Sequence, residues 1–149
     1  MRAFLFAVVT LAACASPSGG SGGGGGAASQ TPLPQHILND LEQRDAALRA
    51  PGVVVARIGE AADLGHGLRV RPLEVVEDSR CPGDVDCVWA GRLRLRVAIE
   101  GAGECEVILG DAVVATPRGA FALVAVSPGT WADWPQDQRP PYRFGFRRV

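Results

Sequence analysis

Arg92-Leu-Arg-Leu-Arg-Val-Ala-Ile-Glu100 alternates without a break: Leu93, Leu95, Val97 and Ile99 share one face, and Arg92, Arg94 and Arg96 the other. Side chains point to opposite faces along a strand, so this stretch is half buried and half wet, as in an antiparallel sheet. Gly101-Ala-Gly103 follows and predicts a hairpin with residues 104–109. A three-residue loop would pair Glu100 with Glu104, setting Ile99 opposite Cys105, Val97 opposite Val107 and Leu95 opposite Leu109. On that register Cys105 points inward, and Arg94 and Arg96 lie diagonally near Glu106.

Outward from this strand the period of two recurs at residues 53–58, 68–76, 112–116, 120–126 and 142–149. Gly59, Gly65-His-Gly67, Pro117-Arg-Gly119 and Ser127-Pro-Gly129 punctuate the runs as turns. Pro72 marks a bulge or an edge in the second run. Arg143, Arg147 and Arg148 are expected on the wet face of the last. About seven short strands at this spacing predict an all-β fold, an antiparallel sandwich or barrel-like domain over residues 52–149. Residues 35–51 read as one N-terminal amphipathic helix. Ile37, Leu38, Leu41 and Leu48 form its apolar side and Pro51-Gly52 its stop, and it is expected to pack on the domain's edge.

Asp78-Ser-Arg-Cys-Pro-Gly-Asp-Val-Asp-Cys-Val-Trp-Ala-Gly91 sets two cysteines six positions apart around Pro82-Gly83, which suit the middle of a type II turn. In an oxidising compartment a Cys81–Cys87 disulfide closes this loop, and Trp89 would pack beside it as core tryptophans do in sandwich domains. A redox dithiol favours two intervening residues where here there are five. Thiolate metal binding would need further soft or imidazole ligands, and His36 and His66 are the only histidines; no metal site and no cofactor are assigned. Cys105 is read as an inert buried thiol, with a bridge to Cys81 or Cys87 as the other reading. Asp78, Asp84 and Asp86 are expected to form a solvated acidic loop, because no bidentate Glu completes a calcium set. Trp131 and Trp134, in Gly129-Thr-Trp-Ala-Asp-Trp-Pro135, are either an exposed binding platform for a sugar or peptide or a plug over one end of the sandwich; the plug is the expectation.

The first residues give an address. Met1-Arg2 precedes an uncharged apolar run to Ala13, which has the length of a secretory h-region and is too short to span a bilayer. Leu11-Ala-Ala-Cys14 looks like a bacterial lipobox, so residues 1–13 are expected to be a lipoprotein signal peptide and Cys14 the lipidation site and membrane link. Residues 14–34, with five consecutive glycines at 22–26, then form a tether that spans roughly 25 Å as a flexible coil. The localisation expected is the cell envelope, lipid-anchored, and the outer membrane if the cell is Gram-negative.

The formal net charge is −1 and no dense basic block occurs, so nucleic acid is not an expected partner. No Gly-x-Ser-x-Gly, phosphate-binding glycine loop or His-Glu-x-x-His occurs, and no catalytic residue is assigned; an enzyme is not expected. Asp78-Ser-Arg-Cys-Pro, Cys87 and Trp89-Ala-Gly91 together resemble the motif of small bacterial envelope lipoproteins whose function is not established. The resemblance extends over residues 53–149 and implies an exported, β-rich, usually lipid-anchored domain. The expected function is a lipid-anchored binding or structural module with an envelope protein or glycan as partner. The alternatives are a thiol-redox or metal-handling protein using Cys81, Cys87 and Cys105, and a cell-wall-acting enzyme.

Overall fold

The computed structural model describes residues 32–149. Cys14, the signal peptide and most of the tether lie outside the described residues. The elements in chain order are α1 (Gln35–Leu48), β1 (Val53–Ala56), β2 (Ala62–Asp63), β3 (Arg69–Asp78), β4 (Leu93–Ile99), β5 (Gly103–Ile108), β6 (Val114–Thr116), β7 (Gly119–Ser127), a 3-10 turn (Gln136–Gln138) and β8 (Arg143–Arg148). The strands form two four-stranded antiparallel sheets, β1-β8-β7-β6 and β2-β3-β4-β5. Leu93, Leu95, Val97 and Ile99 of one sheet share a single core with Phe121, Leu123, Phe144 and Phe146 of the other, which makes the domain a sandwich. Eight strands replace the expected seven or so. The extra one, β2, is two residues long and sits where the glycines suggested only turns.

β4 carries the alternation seen in its sequence, with Leu93, Leu95, Val97 and Ile99 buried. On its outer face the ladder brings unlike charges together: Arg94 pairs with Glu77 and Glu106, and Arg96 with Glu74 and Glu106. Such exposed pairs contribute roughly 0.2–1 kcal/mol each and mainly fix the register. The hairpin register differs from the expected one by two residues. Ile99 faces Gly103, Val97 faces Cys105 and Leu95 faces Val107. The turn closes earlier, where Ala102 donates its N–H to the Ile99 carbonyl at 3.0 Å. A shift of two preserves each side chain's face and changes only its partner, so Cys105 still packs against the core.

β3 shifts register between Pro72 and Glu74 and again between Val75 and Glu77, and Pro72 is fully buried at the first of these irregularities. α1 ends at Leu48, three residues short of the expected limit; Pro51 disfavours helical geometry in the residue before it. The helix buries Ile37 and Leu48 and leans on β7, β1 and β8. Asp40 grips Arg44 at 2.9 Å and also accepts the Gly129 N–H at 3.2 Å. Arg143 reaches back to Asp45 and Ser127, and Arg148 donates to the Gly65 and Arg118 carbonyls. Of the three arginines assigned to a wet face, only Arg147 is left exposed, because the helix and the loop at Gly65 cover the other two positions.

Candidate functional site

The site is the loop joining β3 to β4, and it is built on Asp78. Arg80 clamps that carboxylate with two bonds of 2.7 Å, and the Tyr142 hydroxyl donates to Oδ2 at 2.6 Å. Arg139 donates to the Tyr142 oxygen at 3.0 Å and lies 3.8 Å from Asp78 Oδ2, with its guanidinium over the tyrosine ring. Arg80 also donates to the Pro128 carbonyl at 3.2 Å. The Asp78 and Arg80 side chains are each only 11% exposed. Burial alone would raise the Asp78 pKa. The hydrogen bonds from Arg80 and Tyr142, with the Arg80 charge, outweigh it and hold the carboxyl below the usual aspartate range. Burial, and then the bond to Asp78, push the Tyr142 hydroxyl upward. Asp78 is therefore a structural hub and not part of a solvated acidic loop. Its partners lie at positions 80, 139 and 142, and proximity across 60 residues left no periodic signal to find.

Above this hub the chain is closed by a Cys81–Cys87 disulfide, with the two α-carbons 5.9 Å apart. The tight turn runs from Pro82 to Val85, whose N–H reaches the Pro82 carbonyl at 3.2 Å, one residue beyond the expected Pro-Gly centre. Gly83 donates to the Thr130 carbonyl at 2.9 Å, and Thr130 Oγ1 donates to the Cys81 carbonyl at 3.2 Å. Asp84 accepts the Ala132 N–H at 2.9 Å, the main reason its carboxyl also sits below the usual range. The far side of the loop is held where Cys81 donates to the Ala90 carbonyl and Ser79 to the Arg92 carbonyl, both at 2.9 Å. Gly91 has φ +63°, and any β-carbon there would collide with the Ser79 carbonyl. The loop is thus tied at its base, its middle and its exit. Replacing both Cys81 and Cys87 with Ser is expected to lower unfolding stability by about 2–2.5 kcal/mol, the loop-closure contribution for so short a ring. Urea unfolding of the variant against the oxidised parent checks the figure.

What this frame displays is apolar. Val88 is fully exposed at 100%, Trp89 is 80% exposed and Val85 46%. Trp89 therefore does not pack beside the bridge. Regular strand structure resumes only at Leu93, so the face alternation that would have turned the ring inward does not yet operate at position 89. Beside the indole lies a groove of about 570 Å³ lined by Glu77, Ser79, Trp89, Gly91 and Arg92. Glu77 accepts the Ser79 hydroxyl at 2.8 Å and Arg92 Nε at 3.1 Å, and forms an ion pair with Arg94, whose Nε lies 3.0 Å away. The Ser79 and Arg92 hydrogen bonds are the leading causes of its lowered pKa, so the groove holds a carboxylate at neutral pH.

Trp131 and Trp134 do not line this groove. Trp134 is buried at 4% exposed. Trp131 is half-buried, with its ring over Gly83 and its centroid 4.6 Å from that of His36, which in turn pairs with Asp133 at 3.1 Å. A larger residue at 83 would meet that ring directly. The two indoles are thus packing elements that seat the 129–135 segment, and they do not make a paired open surface. Cys105 is a free, half-buried thiol whose pKa burial pushes up, and the Cys81–Cys87 bond leaves it no cysteine to bridge among the described residues. Among the described residues, no group of three or more His, Cys, Asp or Glu side chains is arranged to hold a metal ion. No protein-family model, curated protein or solved structure matches this chain.

Proposed function

We propose that this protein is a lipid-anchored binding module of the cell envelope, tethered through Cys14 and engaging its partner with the tip of the Cys81–Cys87 loop. The observation that carries this reading is the exposure of Val88 and Trp89 on a loop held by a disulfide, a buried ion pair and the hydrogen bonds of Ser79, Cys81, Gly83 and Asp84. A chain gains stability by covering such side chains, and a rigid frame that keeps them in water fits a surface whose cover is a partner. Rigidity matters because a fixed loop loses little conformational entropy on binding. The anchor rests on Leu11-Ala-Ala-Cys14 and on the motif shared with envelope lipoproteins.

The test has two readouts. Mass analysis of the mature chain from membranes is expected to show an acylated Cys14 as the first residue. A photo-crosslinking residue at position 88, introduced in cells, is expected to give adducts that the same residue at the exposed Arg57, outside the disulfide loop, does not. An unmodified Cys14 in the soluble fraction removes the anchor, and equal labelling at both positions removes the binding tip.

A further inference from the structure

We infer that the groove between Trp89 and the Glu77–Ser79–Arg92 edge is a saccharide subsite that stacks one neutral pyranose ring of a glycan on the exposed indole. This inference rests on the binding-module reading and supplies its ligand class. A pyranose has an apolar C–H face and a rim of hydroxyls that both donate and accept. The groove offers the same two characters in one place. Trp89 presents a broad flat apolar face on a loop that does not have to be ordered on binding.

The rim is supplied by the polar lining. Glu77 can accept about four hydrogen bonds, and Ser79 and Arg92 use two of them, with Arg94 held beside it as an ion pair, which leaves acceptor capacity for a hydroxyl donor. Arg92 spends Nε on Glu77, yet its side chain stays 53% exposed and its fork carries further N–H donors. Ser79 Oγ, which accepts the Arg92 backbone N–H at 3.1 Å, fixes the two sides of the groove relative to each other.

The charges decide among ligand classes. An anion would face Glu77 and a simple cation would face Arg92, while a neutral polyol can engage both at once. An anionic lipid surface is disfavoured further by Asp84 and Asp86, both in the exposed part of the loop. Of the five residues lining the groove only Trp89 is a large apolar side chain. A protein partner docking through an apolar core would therefore desolvate Glu77 and Arg92 without offering each a partner, which is costly. Hydroxyls replace that lost water.

The experiment uses the full chain in lauryldimethylamine oxide micelles, a detergent without a sugar headgroup. N-acetylglucosamine tetramer and cellotetraose are titrated while saturation transfer to the sugar protons is recorded by NMR. The expected result is binding of at least one of them, with a dissociation constant between roughly 0.1 and 10 mM. Saturation should concentrate on the C–H protons of one pyranose face. Trp89→Ala should weaken binding about tenfold or more, as loss of a stacking platform does. Glu77→Gln, which keeps the shape and removes the charge, should weaken it less than Trp89→Ala does. Thermal unfolding of both variants checks that the fold is retained.

Binding that survives Trp89→Ala overturns the assignment of the site. Absence of binding by both saccharides overturns the ligand class. If, in that second case, crosslinks at position 88 still reach an envelope protein, the binding module stands and its ligand is protein. If position 88 also labels no more than Arg57 does, the module reading falls with it.

Discussion

Replacing Asp78 with Ala is expected to lower the stability of the domain by about 3 kcal/mol, because it strands a positive charge that the fold has taken out of water. Asp78 is the carboxylate that pairs with Arg80, and it accepts from Tyr142 and lies within ionic reach of Arg139. With the carboxylate gone, two guanidinium groups and a hydroxyl face one another in a nearly enclosed site. A loss of this size is a large share of the roughly 5–15 kcal/mol that holds a domain folded. It also frees the disulfide loop from its base, so Trp89 loses its fixed presentation along with the stability. Urea unfolding measures the first effect, and saccharide binding or crosslinking at position 88 measures the second.

The same group sets part of the acid limb of stability. The folded-state pKa of Asp78 is lowered from its ordinary value of 3.8, so the folded state holds the proton less tightly than the unfolded chain does. The contribution is therefore complete above the ordinary value and is lost as pH falls through the lower folded value. Glu77 and Asp84 are shifted in the same direction, so Asp78→Asn should flatten the acid limb without abolishing it. An acid limb identical to the parent's would show that the Asp78 cluster does not titrate with folding.

Trp134→Ala should be at least as damaging, at about 3–5 kcal/mol, the usual cost of emptying a buried aromatic site. Trp89→Ala should change stability by no more than roughly 0.5 kcal/mol, since an 80% exposed ring has little packing to lose. The contrast separates the two tryptophan classes in one pair of unfolding curves. Trp131 holds the 129–135 segment against Gly83 of the disulfide loop and His36 of α1, and Trp134 is buried behind a backbone bond to Trp131. Trp89 holds nothing and is available to a ligand. A Trp89→Ala loss as large as that of Trp134→Ala would mean that the loop packs its indole inward in solution, and the groove would lose its aromatic wall.

Much of this architecture was legible in the chain. The run from Arg92 to Glu100 carries its period of two on its face, and β4 sits where that period requires. The turn glycines, the Pro72 irregularity and the single helix were readable for the same reason, as each is a local preference of backbone or pattern. The bond between Cys81 and Cys87 was the expectation from their spacing, and the structure sets aside the bridge to Cys105 that the sequence left open. The hairpin register was not, because a shift of two residues leaves every face unchanged and only the exact closure of the turn selects between them.

The site divides along the same line. The amino-acid sequence by itself determined an all-β domain with one helix and a short disulfide loop, because periodicity and nearest-neighbour spacing are properties of the chain. Tertiary structure alone decided that Asp78 is a buried hub clamped by Arg80 and tied to Tyr142 and Arg139 from the far end of the chain. It alone decided which tryptophans are covered, reversing the role that sequence context suggested for Trp89 and choosing the packed one of the two readings open for Trp131 and Trp134. Burial of an aromatic ring depends on what the rest of the chain brings against it, and no local pattern of residues specifies the other side of a contact.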